Sequence, residues 1–152
     1  MQSDFTVLLD PRAERAEEAR EALSLFAELV KSPEGLHTYR ITPISLWNAA
    51  SAGAGAGDIL AALREHARYG VPKSVADEIR ALVGRYGLVR IERAGPQLLL
   101  RSDDEAVLEA LKQNDALRAY WEPSPKEDRN AIAVRLAARG EVKRELMRLG
   151  FP

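Results

Sequence analysis

The chain has 152 residues, 46% hydrophobic and 30% charged, with no cysteine, two histidines and a net charge of −1. That composition suits one folded domain; it excludes disulfide frameworks, thiolate metal sites and cysteine nucleophiles, and leaves a multi-histidine metal centre poorly supplied. No apolar run approaches the ~20 residues that span a bilayer, and no signal-peptide layout opens the chain, so a cytoplasmic protein with no membrane partner is expected.

Alternation at Phe5, Val7 and Leu9 predicts a first strand. Asp10-Pro11 supplies an N-cap acceptor and a proline for the first helical turn. The helix it opens carries Ala19, Ala22, Leu23, Phe26, Leu29 and Val30 at helical spacing and is expected to stop near Ser32-Pro33-Glu34-Gly35. Leu36 to Ile41 reads as a second strand, which makes residues 1–41 a β-α-β start.

Thr42-Pro43 repeats the cap-then-proline signal ahead of a helix from Ile44 to Ala52. The glycine-alanine run at 53–57 breaks it, and Asp58 is expected to cap a second helix bearing Ile59, Leu60, Leu63 and Ala67. After Gly70-Val71-Pro72, Ser74 is expected to cap a third, with Val75, Ile79, Leu82, Val83 and Tyr86 on one stripe and Gly87 as its stop. Residues 88–93 and 97–102 then form a hairpin across Ala94-Gly95-Pro96. Three helices followed by a hairpin is the order of a winged helix-turn-helix, so residues 42–102 read as a winged-helix-like subdomain.

Ser102 and Glu105 have capping-box spacing before Val107, Leu108 and Leu111. Leu117, Ala119 and Trp121 suggest a strand, Ser124-Pro125 punctuates, and Ile132, Val134 and Leu136 alternate as another strand. A basic amphipathic helix from Glu141 to Leu149 ends at Gly150. The expected fold class is α+β. A small mixed sheet with packed helices is built from 1–41 and 103–152, and the three-helix plus hairpin subdomain is inserted between them.

No catalytic, cofactor-binding or metal-binding residue emerges. A phosphate cradle needs a strand before its glycines and a helix N-terminus after them; here a helix precedes, and Asp58 would repel an anion. Asp104-Glu105-Ala106 begins like a helicase acidic box but reads better as a helix cap. The pairs Glu17/Glu21 and Asp103/Asp104 fall in exposed turns, and catalytic acids need a pocket that shifts their pKa. His37 and His66 have no Ser or Asp at a telling spacing.

Charge is distributed in blocks. Residues 72–102 carry six basic side chains against Asp77, Glu78 and Glu92, a net of +3, while 103–125 carry six acids and two bases, a net of −4. The candidate DNA contacts are Lys73, Arg80, Arg85, Arg90 and Arg93, cations able to reach phosphates. Asp77 sits mid-face on the third helix and opposes a DNA backbone, and Ala81 and Gly84 would let another surface approach closely. DNA contact and protein docking both remain open on these residues.

QSDFTVLLD (2–10), HTYRITPISLWNAASAG (37–53), VPKSVADEIRALVGRYGLVRIE (71–92), LLLRSDD (98–104) and RGEVKRELMRLGFP (139–152) resemble the N-terminal, damage-recognition-like region of bacterial XPB-type superfamily II DNA helicases. The likeness runs along nearly the whole chain in order. HTYRITPISLWNAASAG and GRYG are its most specific pieces. It implies an accessory domain, cut from a larger DNA-repair or transcription-linked protein, that precedes two RecA-like motor domains. Its implied partners are forked or distorted duplex DNA held weakly, the attached ATP-dependent motor, and a nuclease or other repair protein. Two rivals are a docking module that touches no DNA and a free-standing winged-helix transcription regulator.

Overall fold

The computed structural model describes residues 1–31, 35–123 and 130–152, which form two compact units, Met1–Gly84 and Arg85–Pro152. The stops expected at Ser32-Pro33-Glu34 and Ser124-Pro125 lie outside the described residues.

In the first unit, β1 (Thr6–Leu9) is followed by α1 (Ala16–Ser24), β2 (Glu28–Lys31) and β3 (His37–Arg40). The three strands form an antiparallel sheet in the order β1-β3-β2. Two expectations change here. Asp10 does not open a helix: its carboxylate accepts the Arg12 backbone N–H at 2.9 Å and the Arg12 guanidinium at 3.1 Å. This local turn is what a short aspartate offers the backbone in place of a helix. The helix expected to run through Val30 stops at Ser24, because Glu28–Lys31 finds ladder partners on β3, with Leu29 opposite Tyr39. β1 and β2 each run antiparallel to β3 on its two sides, so they are parallel to each other and joined through α1, and the strand expected to close the β-α-β start, Leu36 to Ile41, supplies the central strand between them.

Thr42 caps α2 (Pro43–Ser51) as expected, its hydroxyl accepting from Ser45 N–H at 3.0 Å. The buried Ser45 hydroxyl accepts from Thr42 N–H at 2.8 Å and donates to the Phe26 carbonyl at 2.7 Å. One side chain thus closes the capping box and ties α2 to the turn before β2. α3 (Ala56–His66) starts inside the glycine-alanine run, where the Gly55 N–H donates to Asp58 at 2.9 Å. Asp58 therefore braces the first turn from within the helix. α4 (Lys73–Gly84) buries Val75, Ala76, Ile79 and Leu82, and the Leu82 carbonyl accepts the buried Trp47 indole N–H at 2.9 Å. Leu46, Ile59 and Ile79 are almost wholly enclosed, each burial favouring the fold by about 1.5–3 kcal/mol.

In the second unit, β4 (Arg90–Ala94) and β5 (Gln97–Arg101) form the expected hairpin. The chain continues through α5 (Glu105–Lys112), α6 (Asp115–Arg118), β6 (Ala131–Arg135) and α7 (Arg139–Leu149). The sheet order is β4-β5-β6, antiparallel throughout. Asp104, not Ser102, caps α5, accepting from Ala106 N–H at 2.9 Å, while the buried Ser102 hydroxyl accepts from Asp104 N–H at 3.2 Å. Where a strand was expected around Leu117–Trp121, Asn114 caps α6 through Leu117 N–H, and only Trp121 bridges to Val134. Leu98 and Leu100 of β5 share one core with Leu108, Leu111, Leu117, Val142 and Leu146.

The α+β class holds. Its strands form two antiparallel sheets, one in each unit, where a single small mixed sheet was expected. The three-helix-then-hairpin order of 42–102 is present, with its helices in the first unit and its hairpin in the second.

Ser45→Ala removes the bonds made by the buried hydroxyl and leaves the Phe26 carbonyl short of a donor. The expected loss is about 1–3 kcal/mol, read from the midpoint of urea unfolding.

Candidate nucleic-acid interface

α4 presents Lys73, Asp77 and Arg80 on its exposed side because its buried stripe claims Val75, Ile79 and Leu82. The spacing places both cations beside one carboxylate: Lys73 Nζ is 2.6 Å from Asp77 Oδ2, and Arg80 Nη1 is 3.2 Å from Oδ1. The Lys73 ammonium, helped by Arg80, holds the Asp77 carboxyl below its ordinary 3.8. Asp77, read from sequence as opposing DNA, thus engages both cations and leaves the trio a single net positive charge.

The other three candidates belong to the second unit. Arg90 Nη2 lies 3.3 Å from each carboxylate oxygen of Asp103. Arg93 Nε donates to the Gly95 carbonyl at 3.4 Å. Arg90 and Arg93 are three residues apart on β4, so their side chains leave opposite faces of the sheet. Arg85 packs on the left-handed cap that ends α7: Gly150 has φ +86°, and a Cβ there would stand 2.7 Å from Arg85 Nη1. The fold therefore groups Lys73 with Arg80 and places Arg85, Arg90 and Arg93 at three separate points.

Cations outside the chosen set are less encumbered. On α7, Arg139, Lys143 and Arg144 are exposed and have no carboxylate within ion-pair distance among the described residues, while Arg148 is paired to Glu145 at 2.9 Å. The signal that finds them is helical spacing, with Arg144 opposite Val142 and Leu146 and with Arg139 and Lys143 flanking that buried stripe. By unit, the first has nine basic and twelve acidic residues, net −3, and the second thirteen and eleven, net +2.

A cavity of about 140 Å³ is lined by Phe5, Ile41, Pro43, Leu46 and Leu82, with Glu78 its one charged neighbour and no second titratable group to pair with it. Among the described residues, no His, Asp and Glu cluster could hold a metal ion, and no helix is long and apolar enough to cross a membrane. The His37 Nδ1 is buried without a hydrogen-bond partner. The Gly55 amide is taken by Asp58, so the glycine-alanine run does not hold that amide out to a phosphate.

A family model described as "Helicase conserved C-terminal domain" matches residues 1–121. The chain is 39% identical over 153 residues to a DNA 3'-5' helicase XPB of Mycobacterium tuberculosis, covering all of this chain and 28% of the relative. It is 40% identical over 159 residues to a DNA 3'-5' helicase XPB of Kineococcus radiotolerans, again over all of this chain and 27% of the relative. A general transcription and DNA repair factor IIH helicase/translocase subunit XPB of Schizosaccharomyces pombe is 32% identical over 75% of this chain and 14% of its own length. The chain thus spans little more than a quarter of the bacterial relatives.

Asp77→Asn is expected to release Lys73 and Arg80 and to tighten binding to duplex DNA at low salt, with a salt slope steeper by about one to two units, measured by fluorescence anisotropy. Because the Asp77 carboxyl titrates lower in the folded chain than its ordinary 3.8, its stabilising effect is whole above that pH and is lost as pH falls through the lowered value. The difference in melting temperature between wild type and Asp77→Asn should therefore vanish in acid.

Proposed function

The chain belongs to the family described as the helicase conserved C-terminal domain, and on that footing we propose that it serves an XPB-type DNA helicase as a noncatalytic accessory module. In this reading it contacts forked or distorted duplex DNA and regulates the ATP-driven motor, in a cytoplasmic setting. Whole-chain similarity to the bacterial XPB helicases carries the reading.

The sheet topology supports the noncatalytic part. ATP motor lobes of the P-loop kind place phosphate at a glycine-rich turn between a strand and the helix that follows it, on a mostly parallel sheet. Both sheets here are antiparallel, and the glycine-alanine run joins two helices. The family description speaks of a C-terminal helicase domain, whereas the resemblance implied an N-terminal region. The antiparallel topology favours an accessory role over a motor lobe and assigns it no position in the parent.

Lys73, Arg80, Arg85, Arg90 and Arg93 are the sequence-chosen contacts for the phosphate backbone. With Lys73, Arg80 and Arg90 engaged by carboxylates, weak and salt-sensitive binding follows. Protein docking is favoured by one observation, the exposed and unobstructed Ala81 and Gly84 on α4, where a nuclease or the motor itself would seat.

Anisotropy titration with a forked duplex at low and moderate salt tests the DNA contact, and binding that is absent or indifferent to salt overturns it. Arg80→Glu with Arg93→Glu is expected to weaken DNA binding. If DNA binding survives and stimulation of the motor fails, docking is the correct reading. The chain alone is expected to hydrolyse no ATP in a phosphate-release assay.

A further inference from the structure

We infer that the exposed face of α7, where Arg139, Lys143 and Arg144 surround Gly140, is a phosphate-binding surface for a nucleic-acid backbone. This rests on the DNA-contact reading above and moves its centre to residues that reading did not name.

The helix buries Val142 and Leu146 and turns its opposite side to solvent. Helical geometry sets Arg139 in line with Lys143, and Gly140 in line with Arg144 and Arg148, on adjoining rows. Arg139, Lys143 and Arg144 have no carboxylate partner among the described residues. Of the two acids on the helix, Glu145 is engaged by Arg148 at 2.9 Å and Glu141 lies at the edge of the basic face. The contrast with α4 is direct: there one aspartate occupies two cations, and here three cations remain available.

Gly140 adds an independent observation. Glycine is the poorest helix former after proline, and the fold does not ask for it here. Its backbone lacks the positive φ that favours glycine, and a Cβ would meet nothing within 4 Å. What the missing Cβ provides is close approach to the backbone from outside, in the first turn of α7 beside Arg139 and one turn before Lys143 and Arg144. A phosphate lying there would be held by side chains on either side and would read no base sequence.

Anisotropy with the full 152-residue chain and a forked duplex tests this. Arg139→Gln/Lys143→Gln/Arg144→Gln is expected to lose about tenfold or more in affinity and to flatten the salt slope by about 2.7 units. The comparison variant Arg90→Gln/Arg93→Gln should change affinity by less than about threefold and the slope by less than about half a unit. Gly140→Leu should raise the melting temperature, as a better helix former in open space, while weakening DNA binding. That opposed pair of effects does not arise from a merely structural role. If the triple variant binds as wild type does while the Arg90/Arg93 variant loses binding, the α7 surface is wrong and the DNA reading stands. If wild type binds no DNA even at low salt, both fail. If the triple variant keeps its DNA affinity but no longer stimulates the motor, the face is a protein contact and the inference is overturned.

Discussion

β3 and β5 each share hydrogen bonds with a strand on both sides, and each runs antiparallel to both neighbours. In the first sheet β1 and β2 are therefore parallel to each other and joined through α1, and in the second the chain passes through α5 and α6 between β5 and β6. In the first unit this pairing draws Glu28–Lys31 out of a helical pattern and onto β3. In the second it holds β6 against β5 with four consecutive buried residues, Ala131 to Val134. The same pairing separates the fold from the parallel sheets on which nucleotide phosphates are usually cradled. The proposed role thus draws on the ladders as well as on the relatives.

Electrostatics acts at a finer scale than the net charge of −1. Exposed ion pairs contribute little to stability, typically about 0–1 kcal/mol. They do decide which cations are free to meet a polyanion. Asp77 and Asp103 engage three of the five basic residues first singled out, and Glu92 takes Arg101 at 2.7 Å. A count of Lys and Arg along the sequence overstates what 72–102 offers a phosphate. Partnering corrects the count and shifts attention to the far end of the chain.

What could be read in advance was local. Thr42-Pro43, the Gly95-Pro96 turn and Gly150 act through their own backbone and immediate neighbours, so α2, the β4-β5 hairpin and the end of α7 were legible in the sequence. β2 was not, because ELVK fits a helix until β3 is present to pair with it. Leu117, Ala119 and Trp121 alternate over a stretch too short to distinguish a strand from the four-residue helix that Asn114 caps. For the candidate site, the spacing of Lys73, Asp77 and Arg80 along one helix already implied their contact. The Arg90–Asp103 pair spans thirteen residues and depends on how the hairpin leads into α5. The unpaired basic rows of α7 were visible as a pattern, but their freedom from carboxylates is a property of the folded surface.

The outer strand β2 leaves Leu29 and Val30 each more than half exposed on an edge with open backbone groups. Such an edge invites another chain to zip onto it. Its ladder breaks step between Leu29 and Lys31, and Glu28 and Lys31 set charge at either end of the short run. A kinked rim bounded by charges is a poor template for polymerisation, which lets the molecule carry apolar side chains in water there while resisting fibre growth.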